Sequence, residues 1–134
     1  MIVVDVNILV YLFTDVPERQ SVTKLRQQDP DWRLPGLWRD EFLNVLATLV
    51  RTEHLAAEDA QTLWQLAKDY CQPLESELEL SAALGVAIDR GISAYDAQYL
   101  ALAEQLDVML VTNDRKLIQR AGGRAIAVDM FLQT

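Results

Sequence analysis

The chain has 134 residues, 51% of them hydrophobic, and carries 12 Lys and Arg against 20 Asp and Glu, a formal net charge of −8. This size fits one domain, residues 1–134, around one core, and no apolar run reaches the roughly 18 residues that cross a membrane. A single cysteine excludes an internal disulfide, and one cysteine with one histidine are too few ligands for a zinc site of the usual kind.

The apolar start of the chain resembles a signal peptide only superficially. It has no basic region before the apolar run, Asp5 interrupts that run, and no small-residue cleavage site follows. The lone cysteine, Cys71, also suits a reducing compartment. We therefore expect a cytoplasmic protein with no membrane contact.

Hydrophobic periodicity predicts short buried strands separated by helices. The predicted strands are Ile2–Asp5, Trp32–Leu34, Val108–Val111 and Arg124–Val128. The predicted helices are Ile8–Phe13 (capped by Asn7), Pro17–Gln28, Leu37–Glu53, Ala56–Tyr70, Glu77–Arg90, Ser93–Leu106 and Asp114–Ala121. This order predicts an α/β fold with a short central parallel sheet flanked by helices, an α/β/α sandwich.

Acidic residues follow two of the predicted strands. Asp5 ends the run IVVD, and Asp114 ends VMLVTND, with Thr112 two residues before it. The carboxyl ends of parallel strands open at one edge of the sheet, in the crevice where such folds bind ligands. Taken singly, each aspartate is also explained as a turn residue or a helix cap.

Two further acids lie at the start or on the apolar border of a predicted helix. Glu41 lies beside Trp38 and Phe42 by helical spacing, so it borders the apolar face, although a rim position that reaches water explains it equally well. Asp96 completes Ser93-Ala-Tyr-Asp, a capping box that accounts for the residue without any function.

The joint pattern of the four acids favours a shared role. Carboxylates gathered in one crevice repel each other unless a cation lies among them. With no Cys or His ligand nearby, such a group suits a hard cation, Mg²⁺ or Mn²⁺. The sequence therefore predicts a metal-dependent enzyme.

A basic segment follows the last of these acids. It places four cations within ten residues without an intervening acid: Arg115, Lys116, Arg120 and Arg124. The net charge opposes a nucleic-acid partner at long range, but this segment leaves a local basic patch open. The alternative is a solvated last helix whose cations complement its C-terminal dipole.

Four segments, IVVDVN, EFLNVL, SAYDAQYLALAE and LVTND, resemble in this order the motifs of PIN domains, specifically of VapC-type ribonuclease toxins. The resemblance runs from Ile2 to about Val128. It implies a Mg²⁺- or Mn²⁺-dependent endoribonuclease that hydrolyses RNA phosphodiester bonds, a cognate antitoxin protein, and commonly a homodimer. By motif it assigns catalytic and metal-binding roles to Asp5, Glu41, Asp96 and Asp114, with Asn7 and Thr112 in support.

Two other functions compete with this one. The first is a non-catalytic PIN-like binding module, or a toxin whose acids serve only as caps. The second is a haloacid-dehalogenase-like phosphatase, which needs an acid two residues after its nucleophile, where this chain has Asn7. An acyl-transfer hydrolase is disfavoured because His54 stands alone and no G-x-S-x-G occurs.

Overall fold

The computed structural model describes residues 1–134. Its centre is a four-stranded, fully parallel sheet in the order β2-β1-β3-β4. The strands are β1 (Ile2–Val4), β2 (Trp32–Arg33), β3 (Leu110–Val111) and β4 (Ala125–Ile126). The predicted fold class is confirmed, and the strands are shorter than their apolar runs.

Eight α-helices surround the sheet. They are α1 (Val6–Phe13), α2 (Arg19–Gln28), α3 (Trp38–Arg51), α4 (Ala57–Cys71), α5 (Leu80–Arg90), α6 (Ala94–Leu106), α7 (Arg115–Arg120) and α8 (Val128–Leu132). A 3₁₀ turn, Gln72–Leu74, follows α4 and contains Pro73. No helix is both long enough and apolar enough to cross a membrane.

Successive strand residues point to opposite faces of the sheet, and each face has its own core. Ile2 and Val4 join a cluster of 15 buried residues formed with α1 to α4. Val3 and Leu110 join a second cluster of nine buried residues formed with α6 and α7. Because both faces are covered, the strands read as continuous apolar runs.

The strand order reverses between the two central strands. From β1 the chain moves to β2 on one side, and then returns across the sheet to β3 and β4 on the other. In open α/β sheets such a switch point leaves a crevice at the carboxyl ends of the strands. Asp5 follows β1 and Thr112 follows β3, so the fold places both at this crevice.

Some local predictions need correction. The helix predicted from Glu77 begins at Leu80, and Val128 starts a helix instead of ending a strand. The cap of α1 is Asp5 and not Asn7, because Asp5 has extended backbone dihedrals (φ −83°, ψ 173°) and its side chain accepts from the Ile8 amide. Asn7 instead lies exposed in the first turn. Pro17 lies in the turn before α2 and is not its first residue.

Candidate active site

Asp5 is the most deeply buried acid of the group, with 8% of its surface exposed. Its Oδ1 accepts from the Ile8 amide at 3.2 Å, and its Oδ2 accepts from the Thr112 hydroxyl. Burial raises the pKa of Asp5 to about 6, although both hydrogen bonds act to lower it. The charges of Asp96 and Asp114 raise this pKa further, so both carboxylates lie near enough to affect Asp5.

Thr112 connects the ends of the two central strands. It is fully buried, donates its hydroxyl proton to Asp5, and accepts at the same oxygen from the Asp114 amide at 3.1 Å. Asp114 is exposed and caps α7, its Oδ1 accepting from the Leu117 amide at 3.1 Å. One hydroxyl therefore fixes the spacing between the first and last acids.

Glu41 reaches the same crevice from the first turn of α3. It is half-buried beside Trp38 and Phe42, which are fully buried. Its Oε1 accepts from the Tyr99 hydroxyl at 2.7 Å. Burial raises the pKa of Glu41, the Tyr99 bond lowers it, and the charge of Asp96 raises it. Glu41 is thus held at the rim by α6.

Asp96 lies in the first turn of α6, between the other acids. The Ser93 hydroxyl accepts from the Asp96 amide at 3.0 Å, but the return bond of a full capping box, from the Ser93 amide to the Asp96 carboxylate, is not formed. Burial raises the pKa of Asp96, as does the charge of Asp114, whereas Ser93 and Lys116 lower it. Of the two hydrogen bonds of a capping box, only the one to the Ser93 hydroxyl is therefore formed. The Asp96 carboxylate instead lies near the charges of Asp114 and Lys116.

Tyr99 is a residue of this site that the sequence motifs do not single out. It is 2% exposed and one turn after Asp96 on α6. The pKa of Tyr99 is raised by burial first and then by the charges of Glu41, Asp5 and Asp96. The hydroxyl therefore stays protonated and donates to Glu41. The i, i+3 spacing places Tyr99 and Asp96 on one side of α6, but it does not reveal the hydrogen bond to Glu41.

Not every predicted site residue joins this network. Asn7 is exposed, and its side chain makes no hydrogen bond. A small cavity of about 160 Å³ opens at the crevice, lined by residues that include Ser93, Asp96, Asp114 and Lys116. The largest groove, about 780 Å³ between α2 and α4, contains none of the four acids. The candidate active site is therefore the small cavity that contains acids, and not the largest groove, which contains none of the four.

The four acids are neighbours without being a preformed ligand shell. No three Asp, Glu, His or Cys side chains are arranged, as they stand, to hold a metal ion. Their mutual effects on pKa nevertheless connect all four. The effects on pKa arise because charges interact over longer distances than those of metal ligation. The metal-binding geometry is not formed because oxygens of Asp5, Glu41 and Asp114 accept hydrogen bonds within the protein.

A short parallel sheet with a carboxylate-lined crevice at its switch point defines the class of this protein. The family model of the PIN domain matches residues 2–123. The chain therefore belongs to the PIN-domain family, as the four motifs predict.

Its relatives include VapC proteins of Pyrobaculum aerophilum. The chain is 27% identical to Ribonuclease VapC3 over 123 residues, which cover 89% of this chain and 93% of that one. It is 43% identical to Exonuclease VapC9 over 53 residues, which are 40% of this chain and only 39% of that protein. The crystal structure of PAE2754 from the same organism superposes with a TM-score of 0.78 at 26% identity, covering 98% and 93% of the two chains.

Proposed function

We propose that this protein is a Mg²⁺- or Mn²⁺-dependent endoribonuclease of the VapC type, which hydrolyses RNA phosphodiester bonds as the toxin of a toxin–antitoxin pair. The observation that carries the proposal is the convergence of carboxylates from four separate segments at the switch point of the sheet: Asp5, Glu41, Asp96 and Asp114. The relatives named ribonuclease and exonuclease support the nuclease activity.

The donor set fits a hard divalent cation. It consists of carboxylate oxygens without sulfur or imidazole, the ligands that Mg²⁺ and Mn²⁺ prefer. Asp5, Asp96 and Asp114 would hold the cation, with Glu41 bound directly or through water. A bound cation would lower the pKa of a water molecule and stabilise charge on the phosphate. Loading requires some of these carboxylates to turn from their present hydrogen bonds.

The chain's own residues orient the acids and accept protons. Thr112 and the Ile8 amide hold both oxygens of Asp5, and Tyr99 holds one oxygen of Glu41. Burial raises the pKa of both carboxyls in the metal-free protein, and a bound cation would offset this for the carboxylates that hold it. A carboxylate of this group is the proposed acceptor of the proton of the attacking water, because the single histidine, His54, lies in the bend after α3 and contacts Thr52.

We propose cleavage within RNA chains and not only from their ends. Asp114 is exposed and Asp96 half-buried, so the crevice opens at the surface. A strand can cross an open crevice without threading an end into it.

The test is cleavage of labelled single-stranded RNA by purified protein with Mg²⁺ or Mn²⁺, with and without excess chelator. We expect cleavage only with free metal, and full activity in chelator would overturn the metal mechanism. Asp129→Asn is a suitable control, because Asp129 is an exposed acid of α8 outside the four motifs. It should retain nearly full activity.

A non-catalytic PIN-like binding module is the second candidate, because two of the acids already have a structural role as helix caps. Asp5 caps α1 and Asp114 caps α7. Calorimetric titration with Mn²⁺ separates the two functions. The nuclease binds Mn²⁺ and cleaves RNA, whereas the module does neither. The phosphatase alternative is set aside because the chain is a PIN domain and Asn7 replaces the acid that such chemistry needs.

The proposed antitoxin inhibits by placing a cation in the acidic crevice. An arginine is the simplest such group, because its planar guanidinium pairs with carboxylates through two parallel hydrogen bonds. We expect it to compete with the metal. Equal Mn²⁺ affinity of the free toxin and the complex would exclude inhibition at this site.

The proposed homodimer has a candidate interface on α5. Leu80, Leu84 and Ile88 are 64%, 58% and 71% exposed and four residues apart, and positions 80–88 contain no charged side chain. In a molecule of net charge −8, an uncharged stripe is where two copies approach without repulsion. Antiparallel packing across a two-fold axis would set Leu84 against itself and Leu80 against Ile88.

We also propose that residues 1–134 fold as one domain that acts in the cytoplasm. The single sheet supports the single domain, because each of its faces contributes to a different buried cluster and neither cluster can form without the sheet.

A further inference from the structure

The basic segment 115–124 does not behave as cations that only complement a helix dipole. The helix α7 begins at Arg115, so Arg115 and Lys116 lie at its N-terminus, where the positive end of the dipole disfavours cations. Only Arg120 lies in the last turn. The dipole therefore explains one of these three residues and opposes the other two.

The charges at the start of α7 are also unpaired. The protein has five ion pairs, and none includes Arg115, Lys116 or Arg120. Arg115 and Lys116 make no side-chain hydrogen bond either, and both are exposed. Arg124 is different, because it pairs with Asp107 at 3.0 Å. Two free cations thus follow directly after the acid Asp114.

Two further arginines, Arg90 and Arg120, pack near the C-terminal end of α7. Arg120 donates to the carbonyls of Arg90 and Gly91 at 3.4 and 3.3 Å, which ties α7 to the loop after α5. The guanidinium of Arg120 occupies the space that a side chain at Gly91 would need, and that of Arg90 does the same at Gly122. Arg90 reaches its only acidic partner, Glu104, at 4.0 Å. Carbonyl contacts satisfy the N–H groups here but do not neutralise the charge.

Of these cations, Lys116 lies beside the carboxylates. Lys116 lines the 160 Å³ cavity together with Asp96 and Asp114, and its charge lowers the pKa of Asp96. A cation bound by the acids would neutralise the scissile phosphate, but the phosphates on either side of it would meet a surface of net charge −8. Four of the twelve Lys and Arg fall between positions 115 and 124, and this segment begins at the edge of the cavity.

We infer that Lys116 and Arg115, with Arg120 one turn further along α7, form a subsite for the backbone phosphates that flank the scissile bond of single-stranded RNA. The inference rests on the proposed nuclease function and assigns the RNA-contacting surface of that same site. Such contacts fix the strand in register and carry no base specificity.

The test is the salt dependence of RNA binding. A fluorescein-labelled single-stranded RNA is titrated with the Asp5→Asn variant, which should bind without cleaving, and the dissociation constant is measured by anisotropy over a range of NaCl concentrations. Each lost phosphate contact should reduce the slope of log K against log salt by about 0.7. Lys116→Gln should therefore bind about fourfold more weakly near 0.15 M salt, and Lys116→Gln with Arg115→Gln should lose about 1.4 from the slope.

Lys24→Gln and Lys68→Gln are matched controls, since they remove the same charge from exposed sites on α2 and α4. With otherwise wild-type protein, Lys116→Gln should raise KM for RNA while kcat at saturation changes little. If RNA is cleaved and bound but Lys116→Gln and Lys24→Gln have equal slopes, the subsite is wrong and the nuclease stands. If wild type cleaves no RNA and the Asp5→Asn variant binds none, both proposals fail together.

Discussion

Asp5 is a carboxyl group whose surroundings disfavour its ionised form. Both of its oxygens accept hydrogen bonds that favour the charged form, yet burial outweighs them and raises its pKa from 3.8 to about 6. A carboxyl with a raised folded-state pKa lowers the stability of the fold as it ionises. The metal-free protein therefore carries a charge that its structure only partly compensates.

Asp5→Asn should stabilise the metal-free protein near neutral pH. The folded pKa of about 6 exceeds the unfolded value of 3.8, so wild type loses stability as pH rises between these values and the variant does not. At about 1.4 kcal/mol per pKa unit, the gain near pH 7 is about 1–3 kcal/mol, and below about pH 4 it should vanish. Denaturant unfolding in chelator measures it. A variant less stable than wild type near pH 7 would contradict this assignment.

Tyr99→Phe should weaken metal binding without unfolding the protein. The change removes only the hydroxyl that holds Glu41 at 2.7 Å, and loss of a partner that orients a ligand costs about 10–100-fold in metal affinity or activity. Calorimetric Mn²⁺ titration and cleavage kinetics both measure the effect. Tyr95→Phe is the matched control, because Tyr95 lies on the same helix but is exposed. Equal Mn²⁺ affinities of the two variants would exclude a positioning role for Tyr99.

Tyr99 also shows what local patterns omit. Its partner Glu41 lies 58 residues away in sequence, so no periodicity within one helix connects them. On α6, among buried Leu100 and Leu102, a tyrosine is expected to be a core residue. Only the tertiary structure shows that its hydroxyl faces an acid.

At the scale of elements, two different residues at the start of α6 have the capping role and the proposed functional role. The Ser93 hydroxyl caps the Asp96 amide, while the Asp96 carboxylate makes no return bond to the Ser93 amide. The cap thus depends on Ser93. The Asp96 carboxylate lies near Asp114, whose charge raises the pKa of Asp96, and near Glu41, whose pKa Asp96 raises.

Ser93→Ala and Asp96→Asn should therefore have opposite effects. Ser93→Ala loses the cap and should cost about 1 kcal/mol of stability. Asp96→Asn relieves repulsion, so its melting temperature in chelator should equal or exceed that of wild type. Mg²⁺ should raise the melting temperature of wild type and of Ser93→Ala, since binding to the native state stabilises it. It should raise that of Asp96→Asn less.

Asp96→Ala serves as a check, because asparagine can itself act as a cap. A cap role for the carboxylate would make Asp96→Ala and Asp96→Asn both melt below wild type. It would also leave the Mg²⁺ response of the two variants equal to that of wild type.

The elements themselves were largely predictable from the sequence. The long helices α3, α4 and α6 begin and end within about two residues of their predicted limits, because each has an apolar face of several turns. The cap of α1 could not be predicted, because Asp5 and Asn7 are both residue types that cap helices well. Only the backbone dihedrals at Asp5 decide between them. The five residues of α8 are too few for a periodic pattern, so the sequence predicted a strand up to Val128 and no element after it.

At the scale of the molecule, charge is separated by region. The acids converge at the crevice, free cations border it on α7, and α5 presents an uncharged apolar stripe to solvent. The convergence of the four acids could be predicted because they fall at strand ends and helix starts. The basic rim could be noticed in the sequence, but its position beside the crevice depends on the packing of α7 against the loop after α5.

Leu84→Glu should convert the proposed dimer to a monomer. Leu84 is the middle residue of the α5 stripe, so an antiparallel dimer would bury two opposed glutamates at its centre. Light scattering after size exclusion measures the molar mass, which we expect to halve. Leu66→Glu is the control, because Leu66 is an exposed leucine on α4. Equal masses for wild type and Leu84→Glu would remove α5 from the interface.

The cleavage of circular single-stranded RNA tests the central claim most directly, because a circle has no end from which an exonuclease could start. We expect purified wild type to linearise the circle with Mn²⁺ and to stop when chelator is added. We expect cleavage rates lower by orders of magnitude for Asp5→Asn, Glu41→Gln, Asp96→Asn and Asp114→Asn. A melting curve of each variant checks that it is folded. Cleavage at the wild-type rate by any of these variants would contradict the role of that acid. An intact circle beside degraded linear RNA would contradict the endonuclease, and persistent cleavage in chelator would contradict the metal centre.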